Sequence, residues 1–322
     1  MRKALRILGL VLGVFVLAVA GLAAYVSIDG IPSYPVPALC ATIASTPVRV
    51  AHGEMLVAAS CAECHLNPNT GAFSGQLLRD LPREFGKIYS ANITQDKTNG
   101  IGSWTDGQLV VLLRTGIGRD GRFRIVMPSF VHMSDEDVAS LVAFLRSDNK
   151  WVQPNATPSH AQEPSFLSKA LVHTVMKPTP LPTAAVLEPA ATNVVALGHY
   201  LVVGRYKCYD CHSADFKTNN ALEPEQSKGY LAGGTQMLNL AQQAVVTRNL
   251  TMDKDTGLGD WTPTQFTQAV RFGMSPHGAL RYPMPKYSRL TDAEAQAIWA
   301  YLQLVPKIKN ATPEDGIATT KI

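Results

Sequence analysis

The chain has 322 residues, 46% of them hydrophobic and 17% charged, with a formal net charge of +4 and five cysteines. That balance excludes a disordered chain, offers no basic stretch suited to nucleic acid, and leaves material for two domains of about 150 residues each.

Arg2, Lys3 and Arg6 precede Ile7 to Ile28, an uncharged run of 22 residues. As a helix the run would extend about 33 Å, enough to cross a hydrocarbon core of about 30 Å. Residues 1–29 are therefore expected to form an N-terminal anchor in the cytoplasmic membrane. The basic residues ahead of the run place everything after it on the periplasmic, outer face. A cleaved signal sequence competes with this reading, helped by Ala18 and Ala20 in an A-x-A arrangement, although its apolar core ordinarily spans only about 7–15 residues. Residues 30–47, with Pro32, Pro35 and Pro37, read as a stalk. It carries Cys40, expected to be an inert thiol or an intermolecular contact.

Further along, Cys61-Ala62-Glu63-Cys64-His65 recurs as Cys208-Tyr209-Asp210-Cys211-His212. C-x-x-C-H is the attachment sequence of c-type haem: the two thiols lie about one helical turn apart, so both reach the vinyl groups of one haem, and the histidine offers a ring nitrogen to the iron. Two covalently bound haem c groups are expected, held by Cys61 and Cys64 and by Cys208 and Cys211, with His65 and His212 as iron ligands. A zinc ribbon wants its cysteine pairs about 15–20 residues apart, whereas 143 residues separate Cys64 from Cys208. A thioredoxin-type pair explains neither the histidines nor the recurrence.

Beyond the motifs the chain aligns with itself at an offset of 157, from Asn92 against Asn249 to Leu145 against Leu302. Within that block Asn92-Ile93-Thr94 matches Asn249-Leu250-Thr251, and Gly102-Ser103-Trp104-Thr105 matches Gly259-Asp260-Trp261-Thr262. A tandem duplication results. Thr105 with Gln108 and Thr262 with Gln265 read as helix-starting capping boxes, Gly116 and Gly273 as the stops, and Ser134 and Thr291 as caps of a last amphipathic helix in each unit. The stretch Asn149 to Thr192 holds seven of the 21 prolines, which predicts an extended linker; Phe166 to Met176 within it reads as a short docked helix. The expected fold is all-α: two tandem small c-type cytochrome domains, 48–148 and 193–306, after an N-terminal transmembrane helix, joined by a Pro-rich linker (149–192) and followed by a tail (307–322).

Among nine methionines, one pair shares a repeat position: Met127-Pro128 and Met284-Pro285. Each lies in a loop between helices, and each is expected to supply the second axial ligand, Met127 to the first iron and Met284 to the second. His52 and His199 form a rival pair. A residue 13 positions before the proximal histidine on one helix lies about 20 Å along the axis, too far to reach the opposite haem face.

Two C-x-x-C-H motifs, N-[IL]-T-x-D-K-x-x-G-[IL]-G-x-W-T, R-x-G or R-x-x-G followed by M-P, and a final amphipathic helix together resemble the cytochrome c subunit family of bacterial membrane-bound alcohol and gluconate dehydrogenases. The resemblance covers about 200 residues in two segments. Those subunits typically carry three haem domains, and this chain has two motifs. The resemblance implies electron acceptance from a membrane-bound dehydrogenase or a quinol-oxidising complex and delivery to a cytochrome oxidase or soluble cytochrome. Histidine and methionine together saturate the iron, which favours an electron-transfer protein, or the electron-transfer subunit of an oxidoreductase complex, over a catalyst. The alternative is a dihaem enzyme such as a thiosulfate dehydrogenase or peroxidase, which needs a displaceable ligand at one iron.

Overall fold

The computed structural model describes residues 2–313, so most of the anticipated tail lies outside the described residues. The chain is 39% helix and 6% strand. The strand share, absent from the expectation of an all-α fold, sits in short antiparallel ladders and isolated bridges. Among the described residues the ladders are β1 (Gly86–Lys87) with β2 (Glu163–Pro164), β3 (Gln236–Leu238) with β4 (Ala244–Val246), and β5 (Met274–Ser275) with β6 (Gly278–Ala279). Runs of two or three residues are too short to show a period of two, so the sequence pattern carries no sign of them.

Helix α1 (Arg2–Asp29) is exposed along most of its length, and Val26 near its end is its one buried residue. It is long and apolar enough to cross a membrane. The Pro-rich stretch after it is extended but docked. Tyr34 N donates to Gly121 O (2.8 Å), Arg122 Nη1 to Ile31 O (2.8 Å), and Ile43 N to Asp106 Oδ2 (3.0 Å).

In the first half, α2 (Pro47–Ser60) runs into the one-turn helix α3 (Ala62–His65), followed by α4 (Asp106–Thr115) and α5 (Asp135–Leu145). Thr46 caps α2 with proline at the first turn, where the missing N–H costs nothing. Helices α2 and α5 cross at Gly53, where a Cβ would lie 2.0 Å from Ser140 O. Around the crossing, Leu56, Val57, Leu109, Leu113, Leu141 and Phe144 close a core. Each such side chain contributes about 1.5–3 kcal/mol.

The second half builds the same parts from α7 (Val194–Tyr200), α8 (Cys208–Cys211), α9 (Pro263–Phe272) and α10 (Asp292–Leu302). Gly198 takes the place of Gly53, with its Cβ position 1.9 Å from Ala297 O; Ala297 stands 157 residues after Ser140. Thr105 and Thr262 form the expected capping boxes, and Gly116 (φ 76°) and Gly273 (φ 72°) end α4 and α9 in the left-handed conformation that glycine adopts without a Cβ penalty. The two halves differ before the second motif. A π-helical turn, Leu201–Arg205, absorbs the extra residues there, and Lys207 follows with φ 51°.

Residues 149–192 wrap the first half before reaching the second. Trp151 stacks on Phe73 at 5.4 Å between ring centroids, Val152 is fully buried, and Thr179 Oγ1 donates to Arg114 O. Helix α6 (Phe166–Thr174) lies against the end of α1. At the meeting of the halves, the buried Arg205 guanidinium pairs with Asp137 of α5 (2.6 and 3.0 Å), Glu188 of the connector (2.7 Å) and Glu294 of α10 (2.7 Å). Asp137 also accepts from the Tyr200 hydroxyl and bonds His52 Nε2.

Candidate metal centres

Each motif sits on a turn whose backbone bonds set the spacing of its side chains. Cys61 N donates to Val57 O (2.9 Å), closing α2, and His65 N donates to Cys61 O (2.9 Å), closing the turn that carries Cys64. In the second copy His212 N donates to Cys208 O, also at 2.9 Å. None of the four cysteines is in a disulfide, and burial pushes the thiols of Cys61 and Cys208 up to about 12.

The histidines are oriented alike. His65 Nδ1 donates to Ala91 O and His212 Nδ1 to Arg248 O, each at 2.8 Å, and the two carbonyls stand 157 residues apart. A carbonyl accepts only, so each ring carries its lone pair on Nε2. Burial holds both imidazoles below their ordinary value, against the opposing effect of the carbonyls, and so keeps them in the neutral form that binds iron.

The repeated Asn-x-Thr stands directly after those carbonyls. Each precedes a buried asparagine: Asn92 Oδ1 accepts from Thr94 N and Oγ1 (2.9 and 2.7 Å), and Asn249 Oδ1 from Thr251 N and Oγ1 (2.9 and 2.8 Å). Asn92 Nδ2 donates to Asn155 O and Thr157 O, Asn249 Nδ2 to Ile308 O. The repeated N-x-T is thus a buried brace beneath each histidine's acceptor, and neither asparagine is open to glycosylation.

Met127 packs against the first core cluster, as do Cys61 and Ala62. Met284 is half-buried, its N–H donating to Arg281 O (3.1 Å), three residues before Tyr287, which packs on the second core with Cys208. Both loops return along matching bonds: Phe130 N to Leu113 O (2.7 Å) and Tyr287 N to Val270 O (3.0 Å). The buried Arg114 guanidinium holds the first loop by donating to the carbonyls of Phe130, Val131 and Met133 and pairing with Asp135. At the equivalent place Arg271 pairs with Asp292 (2.7 Å).

The six histidines outside the motifs are engaged elsewhere. His52 bonds Asp137, His199 Glu225, His132 Ala221 O and His173 Gly30 O, while His160 stacks on Tyr89 and His277 lies against Trp261. Neither His52 nor His199 sits on one unbroken helix with its motif, because turns at Cys61 and Lys207 intervene. Cys40 is exposed, on a stretch that crosses the start of α4.

The halves interlock at these same segments. Lys207 Nζ, next to Cys208, donates to Ser129 O (2.9 Å), two residues after Met127. In return, Arg289 pairs with Glu54 (3.1 Å), and a cavity of about 170 Å³ lies between Met55, Ala58 and Ala59 of α2 and the segment 286–290 that follows Met284.

A porphyrin-borne iron fits this donor set. Two cysteines on one turn suit thioether attachment, the adjacent Nε2 suits a bond to iron, and among the described residues no group of three or more His, Cys, Asp or Glu could hold a bare ion.

Residues 48–145 match the family model described as cytochrome c oxidase, cbb3-type, subunit III, so a cytochrome c domain is present there. Over most of its length the chain is homologous to cytochrome c subunits of membrane-bound dehydrogenases. It is 31% identical to the fructose dehydrogenase cytochrome subunit of Gluconobacter japonicus, over 85% of this chain and 55% of that one. It is 30% identical to the gluconate 2-dehydrogenase cytochrome c subunit of Pantoea cypripedii, over 79% of this chain and 59% of that one. The chain thus spans little more than half the length of these relatives. A diheme cytochrome c-type protein of Cereibacter sphaeroides is 26% identical over 78% of this chain and 84% of its own.

Proposed function

We propose that the chain is a membrane-anchored dihaem electron carrier: two tandem c-type cytochrome domains that take single electrons from a membrane-bound dehydrogenase or a quinol-oxidising complex and pass them to a terminal oxidase or soluble cytochrome. The observation that carries this reading is the matched pair of histidines, each with Nδ1 donating to a carbonyl at the same repeat position. Homology to dehydrogenase cytochrome subunits supports the donor, and the likeness to a diheme cytochrome over most of that protein's length supports the count of two.

In this reading Cys61 and Cys64 attach the first haem, whose iron is held by His65 and Met127; Cys208 and Cys211 attach the second, held by His212 and Met284. Bound haem supplies a one-electron couple. The chain's own residues orient the rings through Ala91 and Arg248, hold the first methionine loop through Arg114, and fix the halves together through Arg205 and Lys207. With histidine and methionine both given to each iron, neither centre would offer a position to a substrate.

Denatured protein is expected to retain two haems by mass and by pyridine haemochrome spectrum, and Cys208→Ala/Cys211→Ala to retain one. Both haems should be reduced by a co-purifying dehydrogenase, and the reduced protein should not bind carbon monoxide. Turnover of peroxide or thiosulfate together with carbon monoxide binding would favour the dihaem enzyme instead. Resistance to carbonate extraction tests the anchor, and a mature N-terminus near Gly21 would reject it.

A further inference from the structure

Helix α6 belongs to neither core and leaves an apolar face open. Its capping residue is Ser165, and Ser168 and Val172, one turn apart, are both fully buried. Ser168 Oγ donates to Phe85 O (2.7 Å), and Val172 packs with Ile88 and Ile125. This is the face turned toward the body of the protein. At 100° per residue the opposite face carries Phe166, Leu167, Ala170 and Thr174. Phe166 is 52% exposed and Leu167 45%.

A third, lateral face grips α1. Lys169 Nζ donates to Ser27 O (3.2 Å), His173 Nε2 donates to Gly30 O (3.2 Å) and lies 3.4 Å from Asp29, and the His173 ring meets Tyr25 edge-on at 5.3 Å between centroids. All these partners lie in the last turn of α1 or just after it. If α1 spans the bilayer, that turn stands at the headgroup layer, because the uncharged run ends at Ile28. Helix α6 therefore lies at the same depth. Phe166 and Leu167, exposed on the open face, are then available to lipid at that depth.

We propose that α6 is a second membrane contact, an interfacial helix that sets Phe166, Leu167 and Ala170 into the headgroup layer beside α1. The inference rests on the anchor reading above. A single spanning helix leaves the body free to swivel about its axis. A second contact beside it removes that freedom and holds the haem-bearing halves in one orientation to the membrane surface, where a membrane-bound electron donor would meet them. Lipid suits this face because a short amphipathic helix buries its apolar side at the acyl boundary while its polar atoms remain at the headgroups.

The test uses the full-length protein in phosphatidylcholine vesicles containing phosphatidylglycerol. A Leu167→Cys variant in a Cys40→Ser background takes an environment-sensitive fluorophore, the motif cysteines being thioethers in the proposed reading. Lipids brominated near the headgroup end of the acyl chain should quench this label by about half or more relative to unbrominated lipid. A Leu17→Cys label within α1 reports on the anchor separately: lack of quenching there by lipids brominated along the chain rejects the anchor, whereas quenching at 17 without quenching at 167 overturns the proposal for α6 alone. Protection of the 167 label from aqueous iodide without lipid quenching gives the face to a second copy of the chain and also overturns it.

Discussion

Replacing Arg205 by methionine removes the cation that three carboxylates share. Asp137 is fully buried and Glu294 partly so, whereas Glu188 is 38% exposed, so its loss contributes close to nothing. Removing one partner of a buried pair costs about 3–5 kcal/mol, because the remaining charge stays desolvated. Asp137 keeps its bonds to His52 and Tyr200, which places the cost at the lower end, about 3 kcal/mol. For a chain of this size that corresponds to a fall in Tm of about 6–12 °C. The assay is thermal unfolding followed by circular dichroism, with limited proteolysis in the 149–192 connector as a second readout, since Glu188 ties the connector to the same guanidinium. A double variant, Asp137→Leu/Arg205→Met, should recover much of the loss, because the fully buried carboxylate is then removed together with its cation. A change below about 1 kcal/mol in the single variant would refute the view that this cluster locks the halves.

The same cluster predicts a pH dependence. Burial raises the Asp137 carboxyl, but hydrogen bonds from His52, Arg205 and Tyr200 outweigh it and hold the group below its ordinary value of 3.8. A folded value depressed below the unfolded one stabilises above the unfolded value and is lost as pH falls through the folded one. Stability should thus be intact at neutral pH and decline below pH 3.8, with a shallower decline in Arg205→Met, as measured by urea unfolding across pH. Gly53→Ala and Gly198→Ala place a Cβ within 2.0 and 1.9 Å of a carbonyl oxygen and should each cost about 1–3 kcal/mol by the same assay. Met127→His and Met284→His should each lower the midpoint potential of one haem and remove part of the near-infrared iron–thioether band; an unchanged spectrum in both variants rejects the ligand assignment.

Local chemistry made much of this chain legible. Capping boxes at Thr105 and Thr262, left-handed glycines at 116 and 273, and the turn within each C-x-x-C-H motif rest on bonds between residues three to five apart, and such bonds leave marks at fixed spacing. The offset of 157 was equally visible, and equivalent bonds in the two halves follow it. The long-range partners were not. Ala91 lies 26 residues from His65, Asp137 lies 68 from Arg205, and Ser129 lies 78 from Lys207. The prolines of 30–47 and 149–192 predicted extended chain, but only packing shows that chain bound along the first half, because proline restricts its own dihedrals without choosing a neighbour. The chain order of residue types records local conformation; which carbonyl orients a histidine, and which carboxylate meets a buried arginine, is decided when separated segments close around one core.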